Sequence, residues 1–242
     1  MKTRKLFIAV LCAFSAALFA SGLETANKLY EEGKYPEAIT AYKVLIAEGN
    51  KSAEALYNLG NAYFKEQKVG YAVLNYERAR KIAPRDVDIK YNLDFAKSFV
   101  KESAVEDQAS KLLSGVYYFL TLNELCVLLS AAFLSLLGLL FVRMYLKNEL
   151  TYWLTFSFSI LFLVLLVFSS ARILEEENTK AAIIVSASVE ARSAPIESNP
   201  ASFTIPVGKK VLILNTRNEW IEVLLKSENI KGWIKKDALS EI

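Results

Sequence analysis

Ala53–Asp86 reads AEALYNLGNAYFKEQKVGYAVLNYERARKIAPRD, and one tripeptide inside it, Tyr57-Asn58-Leu59, returns 34 residues later as Tyr91-Asn92-Leu93. Self-similarity at a fixed period of this length is the mark of a stacked helical repeat. Leu56, Leu59, Gly60 and Tyr63 share one face of a first helix, while Ala72, Tyr76 and Ala79 line a second. Gly60 and Ala72 are small where the two helices touch, Tyr76 fills the gap to the next repeat, and Pro84 stops the second helix because it has no N–H to continue it. One period earlier, Ala26, Leu29, Gly33, Ala38, Tyr42 and Leu45 fall in matching positions, and Pro36 suits a first helical turn, where no backbone donor is needed. One period later, VDIKYNLDFAKSFVKES supplies a single helix that caps the stack.

These residues resemble tetratricopeptide repeats. The resemblance assigns 23–106 to an all-α solenoid, with repeats over about 19–52 and 53–86 and a capping helix over 87–106. First-helix residues line the inner groove of such a solenoid: Asn27, Tyr30, Glu31, Glu54, Tyr57, Asn58, Asn61, Lys65, Asp88, Tyr91 and Asn92. Among these, Asn27, Tyr30, Tyr57, Asn58, Asn61, Tyr91 and Asn92 are the candidate partner-binding residues. One subclass grips a terminal carboxylate with asparagines and cations. Asn27 and Asn58 match its asparagines, but Leu23, Asp88 and Asn92 stand where cations are required. The alternative is that the same Tyr and Asn side chains cap, pack and solvate the groove.

Composition narrows the chemistry. The chain has 242 residues, 53% of them apolar, no histidine and two cysteines, Cys12 and Cys126, both inside apolar runs. Neither a metal site, nor a cofactor, nor a His-based mechanism is expected. The nine glycines form no phosphate-cradling cluster, so the expected role is not enzymatic. MKTRKLFIAVLCAFSAALFASG, residues 1–22, has the cationic start, short apolar middle and small-residue end of a secretory signal peptide. Its removal leaves basic and acidic residues equal at 26 each, and a neutral chain offers no basic face for nucleic acid.

Two apolar runs follow, Leu125–Val142 and Leu150–Ala171, each free of charge. At about 1.5 Å per residue both can cross a hydrocarbon core of roughly 30 Å. They predict a transmembrane helical hairpin with spans over 123–145 and 150–172, and Arg143 and Lys147 in its turn favour the cytoplasmic side. Both flanking modules then lie in the periplasm. The aromatic, apolar segment 107–122 either lies along the interface as a helix or packs on the repeats.

From 178 to 242 the texture changes to short β-rich runs separated by turn residues. Val189, Arg192, Pro195, Pro206, Gly208, Val211, Trp220, Val223, Gly232 and Trp233 occur in the order found in bacterial SH3 (SH3b) domains, and the segment resembles a small all-β SH3-like barrel. Trp220 and Trp233 either form a binding surface for peptide or peptidoglycan or fill the barrel, with packing the preferred reading.

Signal peptide, repeats, hairpin and SH3-like module in this order make a multidomain chain that resembles the E component of the Bat (aerotolerance) operons, BatE. The resemblance implies an inner-membrane scaffold in tolerance of oxidative stress. Its implied partners are von Willebrand factor A domain membrane proteins and an AAA ATPase. The alternative is an envelope-binding module attached to peptidoglycan.

Overall fold

The computed structural model describes residues 22–100, 115, 117–226 and 228–242. The leader expected over 1–22 lies outside these residues except for Gly22, as does most of the interfacial helix expected over 107–122. Two compact units emerge: residues 1–106 together with 181–242, and residues 107–180.

The first unit begins with five helices: α1 over 22–31, α2 Tyr35–Ala47, α3 Ala53–Lys65, α4 Val69–Ile82 and α5 Val87–Ser98. Local chemistry sets their ends. Ser52 caps α3 by accepting from the Ala55 N–H, and Asp86 caps α5 by accepting from those of Asp88 and Ile89. Pro36 sits in the first turn of α2, and α4 gives out at Ala83, before Pro84. Leu59, Tyr63, Ala72, Tyr76, Ala26, Ala38 and Tyr42 form one buried core, with Leu93 and Ala96 of α5 continuing it. A Cβ on Gly60 would stand 2.6 Å from a ring carbon of Tyr76, so the ring lies directly on the α3 backbone. Tyr76 therefore packs first within its own repeat, and its hydroxyl is linked to the next through Asn61.

Seven strands follow: β1 Lys180–Ile184, β2 Ser188–Arg192, β3 Ala201–Pro206, β4 Lys210–Arg217, β5 Trp220–Leu225, β6 Ile230–Lys235 and β7 Leu239–Glu241. They form one sheet in the order β3-β2-β6-β5-β4-β1-β7, with antiparallel pairing through β1–β7, β2–β3, β2–β6, β4–β5 and β5–β6. Alternation decides the faces: Ile221, Val223 and Leu225 of β5 point inward with Ile184, Val189, Ile205, Val211 and Ile234. Irregular register after Ala191 and Ile213 bends β2 and β4.

The β-module is joined to the repeats along one stripe of α4. Ile183 of β1 is fully buried in the repeat core, and Val185 and Ile242 pack against it. A Cβ on Gly70 would come within 2.8 Å of the Ile184 carbonyl oxygen and 2.7 Å of Val207, so strand and helix backbones approach with no side chain between them. Arg78 donates to the Glu241 carbonyl, and Lys81 to that of Ile242 at 3.4 Å.

At the centre lies Glu77, 2% exposed, which contacts Arg80 at 2.8 Å, Lys97 of α5 at 2.8 Å and Lys210 of β4 at 3.7 Å. Burial alone pushes this carboxyl up, but the charges of Lys210, Lys97 and Arg80 outweigh it and hold the group at about 2, below its ordinary 4.5. A carboxyl depressed in the folded state stabilises fully above its unfolded value and loses that contribution as pH falls. Glu77 thus adds stability at neutral pH that drains between about pH 4.5 and 2. The melting temperature of the detergent-solubilised chain is expected to fall steeply over this window, and Glu77→Gln to melt lower at pH 7 with a flatter acid limb. Parallel acid limbs in the two proteins would assign the loss to other carboxylates.

The second unit holds α6 Leu122–Tyr145 and α7 Glu149–Asn178. Thr121 and Glu124 form a reciprocal capping box at the start of α6, and Asn148 caps α7 by accepting from the Thr151 N–H. The helices pack on each other through pairs such as Phe133–Phe162, with ring centroids 5.7 Å apart. Both are long and apolar enough to cross a membrane, and only 11% of the most apolar stretch of each is buried. α7 runs on through Glu175–Glu177 to Asn178, beyond its apolar part.

Candidate functional site

Four of the asparagines expected to line the groove are engaged with one another and with buried tyrosines. The Tyr42 hydroxyl donates to Asn27 Oδ1 at 2.6 Å, and Asn58 Nδ2 donates to the same oxygen at 3.0 Å. One period on, the Tyr76 hydroxyl donates to Asn61 Oδ1 at 2.7 Å and Asn92 Nδ2 donates to it at 2.9 Å. Each carboxamide oxygen thus ties a second helix to the first helix of the following repeat. Burial pushes the Tyr42 and Tyr76 phenols well above the usual tyrosine range, so both remain donors at any physiological pH. Asn92 also donates to the Tyr57 hydroxyl at 2.8 Å. Asn27 and Asn58, the two that match a carboxylate clamp, spend a donor and an acceptor on each other.

The open surface of the groove is aromatic. A concavity of about 360 Å³ is lined by Tyr30, Tyr57, Phe64, Lys65 and Phe95, with Asn61, Asn92 and Tyr76 in its floor. Phe95 stands one period after Asn61, so the asparagine ladder stops and an apolar stripe begins at that residue. Tyr91, Phe95 and Phe99 succeed one another at intervals of four on α5, which puts them on one face; they are 70%, 46% and 60% exposed. Phe64 meets Phe95 at 5.6 Å and Phe99 at 5.5 Å between ring centroids. Sequence reasoning placed Tyr30, Tyr57 and Tyr91 here and missed Phe64, Phe95 and Phe99. The four-residue spacing from Tyr91 was the available signal.

Trp220 and Trp233 are half-buried on the outer face of the sheet and take no part in its core. Their neighbours Ile221, Ile234 and Gly232 point inward, and the strand period sends both rings out. Packing in the interior, the preferred expectation, is replaced by a surface position. Trp220 walls a concavity of about 280 Å³ with Pro195, Ile196 and Arg217. Arg192 shapes the loop on its rim by donating to the Glu197 carbonyl at 2.7 Å and to that of Asn199. Lys235, paired with Glu197 at 2.5 Å, lies 6.0 Å from the Trp220 ring centroid.

If the ladder is structural, removing an acceptor strands a buried hydroxyl, at a cost of about 1–3 kcal/mol. Asn61→Ala is expected to lower stability by this amount in denaturant titration. Tyr76→Phe added to it should recover most of the loss, because the orphaned donor goes with it. Simple additivity of the two substitutions would exclude the bond as the cause.

Residues 26–67 match a family model described as TPR repeat, and residues 53–86 one described as tetratricopeptide repeat. No curated protein matches the chain. Among solved structures, NlpC2 and NlpC1 from Trichomonas vaginalis are 22% and 20% identical over 26% of this chain, each with a TM-score of 0.24. The chain spans about a quarter of their length, 25% and 24%. The C-terminal SH3 domain of myosin IB from Entamoeba histolytica, solved with a bound peptide, is 25% identical over 23% of this chain and 90% of that one, with a TM-score of 0.17. Likeness at these TM-scores assigns neither ligand nor activity to the β-module. The two family-model matches do assign the amino-terminal helices: residues 26–86 carry tetratricopeptide repeats, a module for contact with other proteins.

Proposed function

We propose that the chain is a non-enzymatic adaptor, held in a membrane by α6 and α7, that takes a segment of a partner protein into the groove of its repeats. The aromatic concavity around Tyr57, Phe64 and Phe95 carries this reading. It presents apolar rings at the surface, the arrangement from which binding anchors are built, with the cation of Lys65 at its edge. The membrane assignment rests on the uncovered apolar helices. A hairpin of two crossings returns the chain to the side it left. That agrees with the repeats and the β-module packing into a single unit although 107–180 separate them. The leader and the Arg143–Lys147 turn favour a bacterial inner membrane with both modules in the periplasm. The order of modules extends the proposal to a Bat-type oxidative-stress complex, with von Willebrand factor A domain proteins and an AAA ATPase as partners.

A photo-crosslinking amino acid at position 95, in the groove, and another at position 44, where Val44 is 51% exposed on α2, separate groove binding from general stickiness. Irradiated cells should yield discrete adducts from position 95 and none from position 44. The same adducts from both, or none from either, would remove the groove as the docking site.

The Trp220 concavity favours a second reading, attachment to peptidoglycan, because an indole face with Arg217 beside it suits a sugar bearing a carboxylate. Co-sedimentation of the detergent-solubilised chain with purified sacculi tests it. Pelleting that drops at least fivefold in Trp220→Ala is the expected result; equal pelleting of both proteins, or none, counts against it.

A further inference from the structure

We infer that the β-module is the terminal cap of the repeat stack, seated on α4 and on the end of α5, and that it clamps the helix carrying the aromatic half of the groove. A solenoid ends in an exposed apolar face unless something different from a repeat covers it. Here α5 opens a third unit, and among the described residues no helix follows it within that unit. One stripe of α4 is covered by the β-module instead. Val73 on that stripe is fully buried, and the turn Val207–Gly208 lies over it: a Cβ on Gly208 would stand 2.6 Å from Val100 and 3.6 Å from Val73. Gly208 has φ +78, a conformation that keeps the turn tight while it presses on both valines.

The clamp on α5 has two points. Val100, just past its end, is 7% exposed beneath Gly208. Lys97, in its last turn, reaches the same carboxylate that binds Lys210, so Glu77 ties α4, α5 and β4 through one pair of oxygens. The first repeat provides an internal comparison. Lys43 stands one period before Glu77, on α2, and is exposed. A carboxylate hub occurs where the β-module sits and is replaced by a solvated cation where a repeat follows.

The consequence for function rests on the groove reading: by fixing α5, the cap fixes Tyr91, Phe95 and Phe99, so its seating and the shape of the groove are coupled. Hydrogen exchange on the full detergent-solubilised chain tests the cap without reference to any partner, and so fails or holds independently of the crosslinking result. Lys210→Met removes the β-module's charge and keeps much of its stem, and Glu77→Gln removes the hub. In each, amides of 89–99 are expected to exchange at least tenfold faster, while those of β5, 220–225, and α3 keep their rates. Lys43→Gln should change nothing. If Glu77→Gln does not fold, Lys210→Met decides alone. Unchanged protection of 89–99 in Lys210→Met, or acceleration spread evenly over α3, α5 and β5, would overturn the inference.

Discussion

A carboxylate withdrawn from water is tolerated only where opposite charge reaches it, and Glu77 gathers that charge from its own helix, from α5 and from β4. Two consecutive helices and a strand more than a hundred residues further on are thereby obliged to meet at one point. The contact is specific in a way that apolar packing is not: Ile183 and Val73 could slide against other aliphatic side chains, but Glu77 cannot lose its cations without being left charged and dry. Around this point the close backbone approaches at Gly70 and Gly208 fix distance, and the ion pairs fix register.

The repeats solve a related problem with neutral groups. A stack of helices has polar side chains at its seams, and each buried hydroxyl there needs a partner. Asn27 and Asn61 answer this by accepting two hydrogen bonds each, one from the tyrosine of their own repeat and one from the asparagine of the next. The same solution leaves the groove's rings free. Where Phe95 takes the ladder position, the surface changes from amide to aromatic, and the groove acquires a direction, polar toward the amino terminus and apolar toward α5.

The repeat architecture was legible because a 34-residue period forces helix pairs to recur, and Gly60, Ala72 and Tyr76 could not serve that packing in another fold. Strands in the β-module were legible from turn residues and alternation. The direction of Trp220 and Trp233 was not, since large aromatics suggest a core until Ile221, Val223 and Ile234 are seen to claim the inner face. The ladder was hidden behind a correct placement: Asn27, Asn58, Asn61 and Asn92 do sit at first-helix positions, but spacing cannot say whether an amide bonds a neighbour or a guest. Glu77 was invisible. In NYERARK it reads as one charge among several on a solvated helix, and its burial comes from a strand more than a hundred residues away.

That separation bears on biogenesis. The face of α4 carrying Val73 leaves the ribosome long before Ile183 and Val207, which cover it, have been made, and two long apolar helices must be dealt with in between. Contacts so distant in sequence close slowly. Throughout that interval the nascent repeats display an apolar strip, the kind of surface that chaperones hold and proteases sample. Completion of synthesis, rather than emergence of the repeats, is therefore the step at which this protein becomes itself.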